Sequence, residues 1–368
     1  MTSPAPKPLG FATSAPAPRT GPVSRQRAPQ RAARRRPVPW TRLALVTWRQ
    51  HRLLLAGAVS LLGALGIYLL IMGLKIHSAY AAVASCHPAG SAHCQQLATA
   101  FNQEYYGSQS GSVASSGLNA QTVPFMLLAV PALLGVFAGA PLLAREFETG
   151  TFRFAWTQGA GRVRWAIAKL VLLAVALTGA AQAFSMLFSW YFQPFLTEGK
   201  TSAFPMQLFG TRGVDFAAWT LAAFAIGAFA GAVIRRTVPA MAASLATWLV
   251  LDLTTMMSLR QHYQAPVTRT GNNPPAASDW LLSGGITAPD GRPVPPGQLF
   301  GQLPPSVRDQ GNPASINAWL AQHHYTQWWT YQPAGRFWHF QFIEGSWLLA
   351  LSAVLLAATI WLVRRRAA

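Results

Sequence analysis

Residues Gly139–Leu170 read GAPLLAREFETGTFRFAWTQGAGRVRWAIAKL. An apolar run long enough to cross a bilayer ends at Leu143, and the charged segment Arg145–Glu148 follows it at once. A turn at Thr149–Thr151 and an aromatic, basic segment come next, and a second apolar run begins near Trp165. Because charged side chains are costly in hydrocarbon, this stretch predicts a polar connection between two membrane helices.

The composition of the whole chain agrees with this reading. Of its 368 residues, 51% are hydrophobic and 11% are charged, whereas a soluble domain typically has about 25% charged residues. A helix that crosses about 30 Å of hydrocarbon needs about 20 mostly apolar residues. Six runs meet that requirement: Leu53–Met72, Val123–Leu143, Ala166–Phe188, Phe216–Ile234, Thr237–Met257 and Gly345–Val363. We therefore predict an all-α polytopic membrane protein with six transmembrane helices.

The net charge of +19 is concentrated beside one set of helix ends. The basic residues on that side are Arg49, Arg52, Arg162, Arg164, Arg235, Arg236 and Arg364–Arg366. Only Lys75, Arg212 and Arg260 flank the runs on the other side. The positive-inside rule then predicts that the N- and C-termini are cytoplasmic. We also expect the chain to lie in the plasma membrane as a multi-pass protein. The charge is thus a topology signal, and nucleic acid is not an expected partner.

Two segments before the first membrane run have their own composition. Residues 1–39 are rich in Pro, Ala and Arg, which predicts a disordered basic arm on the cytoplasmic side that either touches anionic lipid or is idle. Residues 40–52 show a moderate amphipathic pattern, so they form either an interfacial helix or a simple extension of the first membrane helix. Residues 53–257 carry transmembrane helices 1–5, and residues 345–368 carry helix 6 and a basic tail.

Two of the predicted external connections are long. The first covers residues 73–122, and the larger one covers residues 258–344, between helices 5 and 6. The larger segment is crowded with Pro, Gly and Asn, which interrupt regular elements. It also contains five tryptophans, so we expect short helices packed against the outer membrane face, with aromatic side chains at the lipid interface.

Cys86 and Cys94 are the only cysteines, and both lie in the first external connection. Two thiols eight positions apart in an oxidising compartment predict a disulfide. His87 and His93 lie between them and make a zinc site the alternative. Because this spacing matches no common zinc motif, the disulfide is favoured.

The polar connection at residues 144–164 has features of a docking element. Phe152 and Trp156 are four residues apart, so they share one face of a short helix. Gly159 and Gly161 can end that helix, and the following arginines return the chain to the membrane. An exposed aromatic and basic surface of this kind predicts a binding partner.

Two motifs in this part of the chain resemble a known family. The pattern ARExExGTxRxxxxQ…GRxRWxxxKL in Gly139–Leu170, and TWRQHRLLLAG at Thr47–Gly57, look like type 2 ABC-transporter permeases, especially actinobacterial ones. The resemblance implies a membrane-spanning exporter subunit whose cytoplasmic connection is a coupling helix that docks on a separate ABC ATPase subunit. On this chain the implied contact residues are Glu146, Glu148, Gly150, Thr151, Phe152, Arg153 and Trp156.

Six helices are half of a translocation unit in that family. A second copy of this chain or a sister permease is therefore an implied partner, alongside the ATPase and membrane lipid. Gly227 and Gly231 form a GxxxG motif, which allows helices to approach closely. The motif serves either packing within the chain or a dimer face.

No cofactor is expected on this chain, because ATP is used by the partner subunit. The nearest match to a phosphate-binding loop, at Gly199–Thr201, has Pro194 where the loop needs a glycine. A membrane-embedded enzyme is one alternative function, but the membrane runs lack the HExxH, paired aspartates or Ser–His arrangement that such enzymes use. A membrane scaffold or sensor without transport activity is the other alternative.

Two carboxylates near the outer ends of membrane runs are candidates for a translocation path. Asp252 is well within the fifth run, where it either lines a polar path or marks an early helix end near Leu251. Glu344 lies at the outer edge of the sixth run, as a second path residue or an interfacial one.

Overall fold

The computed structural model of the chain describes residues 39–88, 90–107, 120–150, 161–271, 273–309 and 312–366. The predicted disordered arm, residues 1–39, lies outside them except for its last residue. Six helices are long and apolar enough to cross a membrane, as the hydrophobic runs predict. They are α1 (Trp40–Ala84), α3 (Thr122–Thr149), α4 (Arg162–Thr197), α6 (Asp215–Ile234), α7 (Thr237–His262) and α11 (Phe337–Arg366).

Shorter elements connect these spans. Helix α2 (Ala92–Tyr106) follows α1, and the single turn α5 (Met206–Phe209) precedes α6. Between α7 and α11, the described residues form three short α-helices and four strands, besides a 3-10 turn at Ala334–Arg336. They are β1 (Val267–Thr270), β2 (Trp280–Thr287), β3 (Pro293–Val294), α8 (Pro296–Gln302), α9 (Pro305–Arg308), α10 (Pro313–Gln322) and β4 (Thr326–Gln332).

Successive spans alternate in direction, so the bundle has two ends. At the basic end, where α1 begins and α3 ends, the Arg164 guanidinium lies 4.7 Å from the centre of the Trp40 ring. Arg235, at the end of α6, lies 5.6 Å from the centre of the Phe147 ring in α3. At the opposite, sheet end, Phe337 at the start of α11 packs against Phe209 of α5. Because the number of spans is even, residues 39 and 366 both belong to the basic end.

Helix α6 is the centre of the bundle and packs against α3, α4, α7 and α11. In its most apolar 18 residues, 72% are buried, against 17% in the peripheral helix α1. Its sequence, DFAAWTLAAFAIGAFAGAVI, is dominated by alanine and glycine. Small side chains let neighbouring backbones approach closely, which is how helices gain contact area in a membrane.

The closest crossing is between α6 and α3. Helix α3 contains a π-helical turn at Gly135–Gly139, and a side chain at Gly139 would place its Cβ 2.6 Å from the Phe224 carbonyl oxygen of α6. From the other side, Gly227 and Gly231 face Gly135 and Ala140. The GxxxG motif therefore serves packing within the chain.

Helix α2 is fastened to the end of α1. Cys86 and Cys94 form the predicted disulfide, with their Cα atoms 5.7 Å apart. Because both sulfur atoms take part in this bond, neither is a free zinc ligand. Phe101 of α2 stacks on Phe195 of α4 at a centroid distance of 5.2 Å, so α2 closes the sheet end beside α1 and α4.

The segment 258–344 differs from the prediction. Its four strands form one antiparallel sheet in the order β1-β4-β2-β3, so the expectation of short helices alone was wrong, and the chain is not all-α. Strand β4 reads TQWWTYQ, and Thr and aromatic residues favour strands. Trp328 and Trp329 pair with Gly285 and Gly284 of β2. A Cβ at Gly285 would lie 2.7 Å from the Trp328 indole, so glycine leaves room for the ring.

The structure also fixes three helix boundaries. Residues 40–52 had two open interpretations, and the observed one is the extension of the first membrane helix: they are the first turns of a continuous α1, since Trp40–Ala56 contains no Gly or Pro to interrupt it. Helix α11 begins at Phe337, eight residues before Gly345, since its first turns are anchored by aromatic packing. Helix α7 continues past Leu251 to His262 through a π-helical turn at Thr255–Leu259, so the early end was wrong.

Candidate functional site

The connection between α3 and α4 begins and ends at glycines. Gly150, which ends α3, has φ 71°, and Gly161, which precedes α4, has φ 69°. Glycine adopts this left-handed conformation without steric cost and is common just past the end of a helix. The polar turn is therefore where the sequence predicted it. The four other predicted contact residues, Thr151, Phe152, Arg153 and Trp156, lie outside the described residues.

An ion pair fastens α3 to α4 beside this connection. Lys169, two turns into α4, is 1% exposed, and its ammonium group contacts the carboxylate of Glu146. The ammonium also lies 4.8 Å from the centre of the Trp165 ring. A buried cation is tolerated when it is paired, and removing one partner of such a pair is strongly destabilising. Glu146 therefore neutralises a charge inside the bundle.

The second carboxylate fastens α3 to α7. Glu148 Oε2 accepts hydrogen bonds from the backbone nitrogen of Thr237, at 3.0 Å, and from its hydroxyl, at 2.7 Å. Thr237 is the first residue of α7. A carboxylate at this position satisfies one of the free N–H groups of the first turn and complements the positive end of the helix dipole.

These two contacts attach the end of α3, beside the connection, to neighbouring helices. Both Glu146 and Glu148, which the sequence suggested as partner contacts, have partners within the chain. Three spans, α3, α4 and α7, are thereby joined within one helical turn of Gly150.

A second polar cluster lies at the sheet end, between α6, α7 and α11. Arg260 and Glu344 are both fully buried and form a two-pronged ion pair. Arg260 Nη2 donates to Glu344 Oε1 at 2.6 Å, and Arg260 Nε donates to Glu344 Oε2 at 3.0 Å. The guanidinium also lies 4.0 Å from the centre of the Phe209 ring. This fork geometry is the strongest arrangement available to an arginine and a carboxylate.

Further donors complete the surroundings of Glu344. Trp219 Nε1 donates to Oε1 at 2.9 Å, and the Tyr263 hydroxyl donates to Oε2 at 3.1 Å. Burial, and then the charge of Glu344, raise the pKa of the Tyr263 phenol, which keeps it a donor. The Trp347 indole in turn donates to the Tyr263 hydroxyl at 3.1 Å. Glu344 of α11 is thus bound from α6 and from the end of α7.

Asp215, at the first turn of α6, brings a second carboxylate into the cluster. It is fully buried, and its Oδ2 lies 3.9 Å from Arg260 Nη2. Neither carboxyl oxygen of Asp215 has a hydrogen-bond partner among the described residues. One guanidinium therefore faces two buried carboxylates.

The two predicted path residues have different surroundings. Glu344 belongs to this cluster, so its observed role is to bind Arg260. Asp252 is also buried, two turns before Arg260 on α7. The described hydrogen bonds of Glu344 go to Arg260, Trp219 and Tyr263, and none of them reaches Asp252.

Sequence reasoning missed Asp215 and Arg260 as members of one site. The sequence did contain a signal for this site: three charged residues flank apolar runs at the same end of the bundle, namely Asp215, Arg260 and Glu344. Opposite charges at adjacent ends of antiparallel helices favour pairing. What the pattern could not supply is which helices are neighbours.

The described residues contain no group of three or more His, Cys, Asp or Glu side chains placed to hold a metal ion. The two polar clusters join neighbouring helices through ion pairs and hydrogen bonds. The two clusters are therefore parts of a helical bundle in which ion pairs join neighbouring helices.

Comparison with known proteins gives one match. Residues 59–260 match the family described as ABC-2 membrane transporter related. No curated protein and no solved structure matches the chain. The matched region contains most of α1, all of α3, α4 and α6, nearly all of α7, and the connection at Gly150. Because it covers more than half of the 368 residues, this multi-pass membrane protein belongs to the ABC-2 membrane transporter related family.

Proposed function

We propose that this chain is the permease subunit of an ABC exporter and that it couples to a separate ATPase subunit through residues 144–164. Membership of the ABC-2 membrane transporter related family and the six long apolar helices support a transporter permease. In this proposal the chain forms half of the translocation path and performs no covalent chemistry. A second copy or a sister permease supplies the other half.

The charge distribution supports the orientation that coupling requires. Lys and Arg residues cluster at the basic end, which the positive-inside rule assigns to the cytoplasm. The Cys86–Cys94 disulfide is at the sheet end, which fits an oxidising, extracellular compartment. In the plasma membrane, residues 144–164 then face the cytosol, where an ATPase can reach them.

The main observation behind the proposal is the pair of contacts that Glu146 and Glu148 make beside Gly150. Glu146 is tied to Lys169 and Glu148 to Thr237, so the connection is attached to three spans through short contacts. A push by an ATP-driven partner on this connection would move α3, α4 and α7 as a unit. Since both carboxylates are occupied, Phe152, Arg153 and Trp156 are the residues we assign to direct contact with the partner.

Co-purification tests the contact. We expect the wild-type chain, expressed in its native host, to capture an ABC ATPase, and the variant Arg153→Glu/Trp156→Ala to capture less than a tenth as much. The matched control is Arg269→Glu on exposed strand β1, which makes the same charge reversal at the sheet end. Equal ATPase recovery with the double variant and the control contradicts the proposed contact.

Site-directed labelling tests the orientation independently. Both native cysteines are in the disulfide and no other cysteine exists, so an introduced cysteine is the one free thiol. In intact cells, a membrane-impermeant maleimide should label Arg269→Cys and should label Arg153→Cys only after permeabilisation. The reverse pattern would place the connection outside the cell and end the proposal.

A further inference from the structure

A cleft at the sheet end opens between α1, α4 and the start of α11. Its volume is about 500 Å³, within the range of small-molecule sites. Its lining combines polar and apolar side chains, and none of the described lining residues is a carboxylate. The polar lining residues include His77, Gln182, Ser189, Gln193 and Arg212, and the apolar ones include Met186, Trp190, Phe337 and Trp338.

Arg212 is the one charged residue in this lining. It is 9% exposed, and its Nε has no hydrogen-bond partner among the described residues. The guanidinium lies 5.5 Å from the centre of the Phe337 ring. Burial lowers the pKa of Arg212 to about 10, so the group is still a cation at neutral pH. A buried cation without an anion is costly, which makes an anion from outside the chain the natural partner.

The loop that carries Arg212 is held in place by neighbouring helices. The Ser185 hydroxyl of α4 shares its one hydrogen between the carbonyl oxygens of Thr211, at 3.1 Å, and Gly213, at 3.0 Å. Gln182 donates to the same Gly213 carbonyl at 3.1 Å. On the other side, Gln341 Oε1 accepts from the backbone nitrogen of Val214 at 3.0 Å. Arg212 is therefore presented by a fixed scaffold rather than by a free loop.

Two apolar lining residues of the cleft are also exposed on the outer surface of the bundle. Met186 of α4 is 63% exposed, and Trp338 of α11 is 55% exposed. Phe342, one turn further along α11, is also exposed and lies against Trp338 at a ring distance of 6.3 Å. Exposed aromatic and Met side chains near the ends of membrane helices belong to the interface between headgroups and hydrocarbon.

We propose that this Arg212 cleft binds an anionic amphiphile, with its phosphate or carboxylate headgroup on the Arg212 guanidinium and its apolar chain along Met186 and Trp338. The charge complementarity and the exposed apolar surface together select this ligand class. An inorganic anion satisfies the guanidinium alone, and a neutral lipid satisfies the apolar surface alone. The inference concerns this site only and does not depend on coupling to an ATPase.

The test measures lipid binding to the purified full-length chain. Native mass spectrometry would count phosphatidylglycerol retained from mixed micelles, with phosphatidylcholine as the zwitterionic comparison. We expect Arg212→Gln to weaken phosphatidylglycerol binding about tenfold, since a charge-assisted pair is lost. Lys75→Gln removes one positive charge from an exposed position of α1 at the same end, so it should leave binding unchanged.

A second variant keeps the test valid if Arg212→Gln fails to fold. Ser189→Trp keeps Arg212 and fills the cleft from α4, so it should weaken phosphatidylglycerol binding as well. Equal binding by wild type, Arg212→Gln and Ser189→Trp overturns the proposal. Displacement of phosphatidylglycerol by millimolar inorganic phosphate would identify a site for free anions and overturn the amphiphile. Equal retention of phosphatidylcholine would show that the headgroup charge is irrelevant.

Discussion

Arg260 Nη2 lies 2.6 Å from Glu344 Oε1, although 84 residues separate them in the chain. The pair joins the end of α7 to the second turn of α11 across the whole segment that contains the sheet. Because Asp215 of α6 lies 3.9 Å from the same guanidinium, one arginine connects three membrane spans. The cluster fixes the relative positions of these spans at the sheet end.

Arg260→Met should destabilise the purified chain by about 3–5 kcal/mol, because it leaves Glu344 and Asp215 buried without a cation. The double variant Arg260→Met/Glu344→Gln removes both charges of the pair and should recover a large part of that loss. Thermal unfolding in detergent, followed by tryptophan fluorescence, measures both. Additive losses in the double variant would show that the two side chains are not coupled.

The control for this comparison is an exposed pair at the same end. Arg308 Nε lies 3.4 Å from Asp309 Oδ1, and both side chains are largely in water. Exposed ion pairs contribute little to stability. Arg308→Met should therefore leave the unfolding midpoint where it is in the wild type.

The glycine crossing of α3 and α6 gives a second prediction. Gly139→Ala places a Cβ 2.6 Å from the Phe224 carbonyl oxygen, and backbone cannot move aside as a side chain can. We expect a loss of about 1–3 kcal/mol from overpacking. Gly179→Ala in α4 is the matched control, since nothing lies within 4 Å of its added Cβ. That control should be neutral or slightly stabilising, because alanine favours helix. Equal midpoints for the two variants would contradict the close crossing.

The six spans could be predicted from sequence because hydropathy over about 20 residues is a local property. The sheet between α7 and α11 was not predicted. Its strands are only two to eight residues long, and the Pro and Gly residues around them were interpreted as signs of irregular structure. In β4, the Thr and aromatic run TQWWTYQ was a usable strand signal. Its pairing with Gly284 and Gly285 depends on register, which the local pattern does not contain.

At the two polar sites, too, local features could be predicted from the sequence, whereas contacts between distant residues could not. The turn at Gly150 could be predicted, since a glycine after charged residues at the end of an apolar run is a local signal. The partners of Glu146 and Glu148 could not, because Lys169 and Thr237 reach them only once α3, α4 and α7 are packed. The same holds for Asp215 and Arg260.

Variants of the Glu146–Lys169 pair can show whether Glu146 stabilises the bundle or contacts the ATPase. Glu146→Ala leaves the Lys169 ammonium buried without its carboxylate and should cost about 3–5 kcal/mol of stability. Glu146→Ala/Lys169→Met removes both charges and should restore most of it. The double variant should also retain capture of the ATPase, because in our proposal Glu146 positions the connection without contacting the partner. A stable double variant that fails to capture the ATPase would assign Glu146 to the contact surface.

The disulfide offers a test of both stability and compartment. Cys86 and Cys94 are eight positions apart, and for so short a loop the chain-entropy relation gives about 2–3 kcal/mol of stabilisation. Cys86→Ser/Cys94→Ser should lower the unfolding midpoint accordingly while α2 stays docked through Phe101 and Phe195. In intact cells, the wild-type thiols should react with an impermeant maleimide only after treatment with an impermeant reductant. Labelling without the reductant would mean that the bond is absent in the cell, and labelling that appears only in permeabilised cells would mean that the sheet end does not face outward.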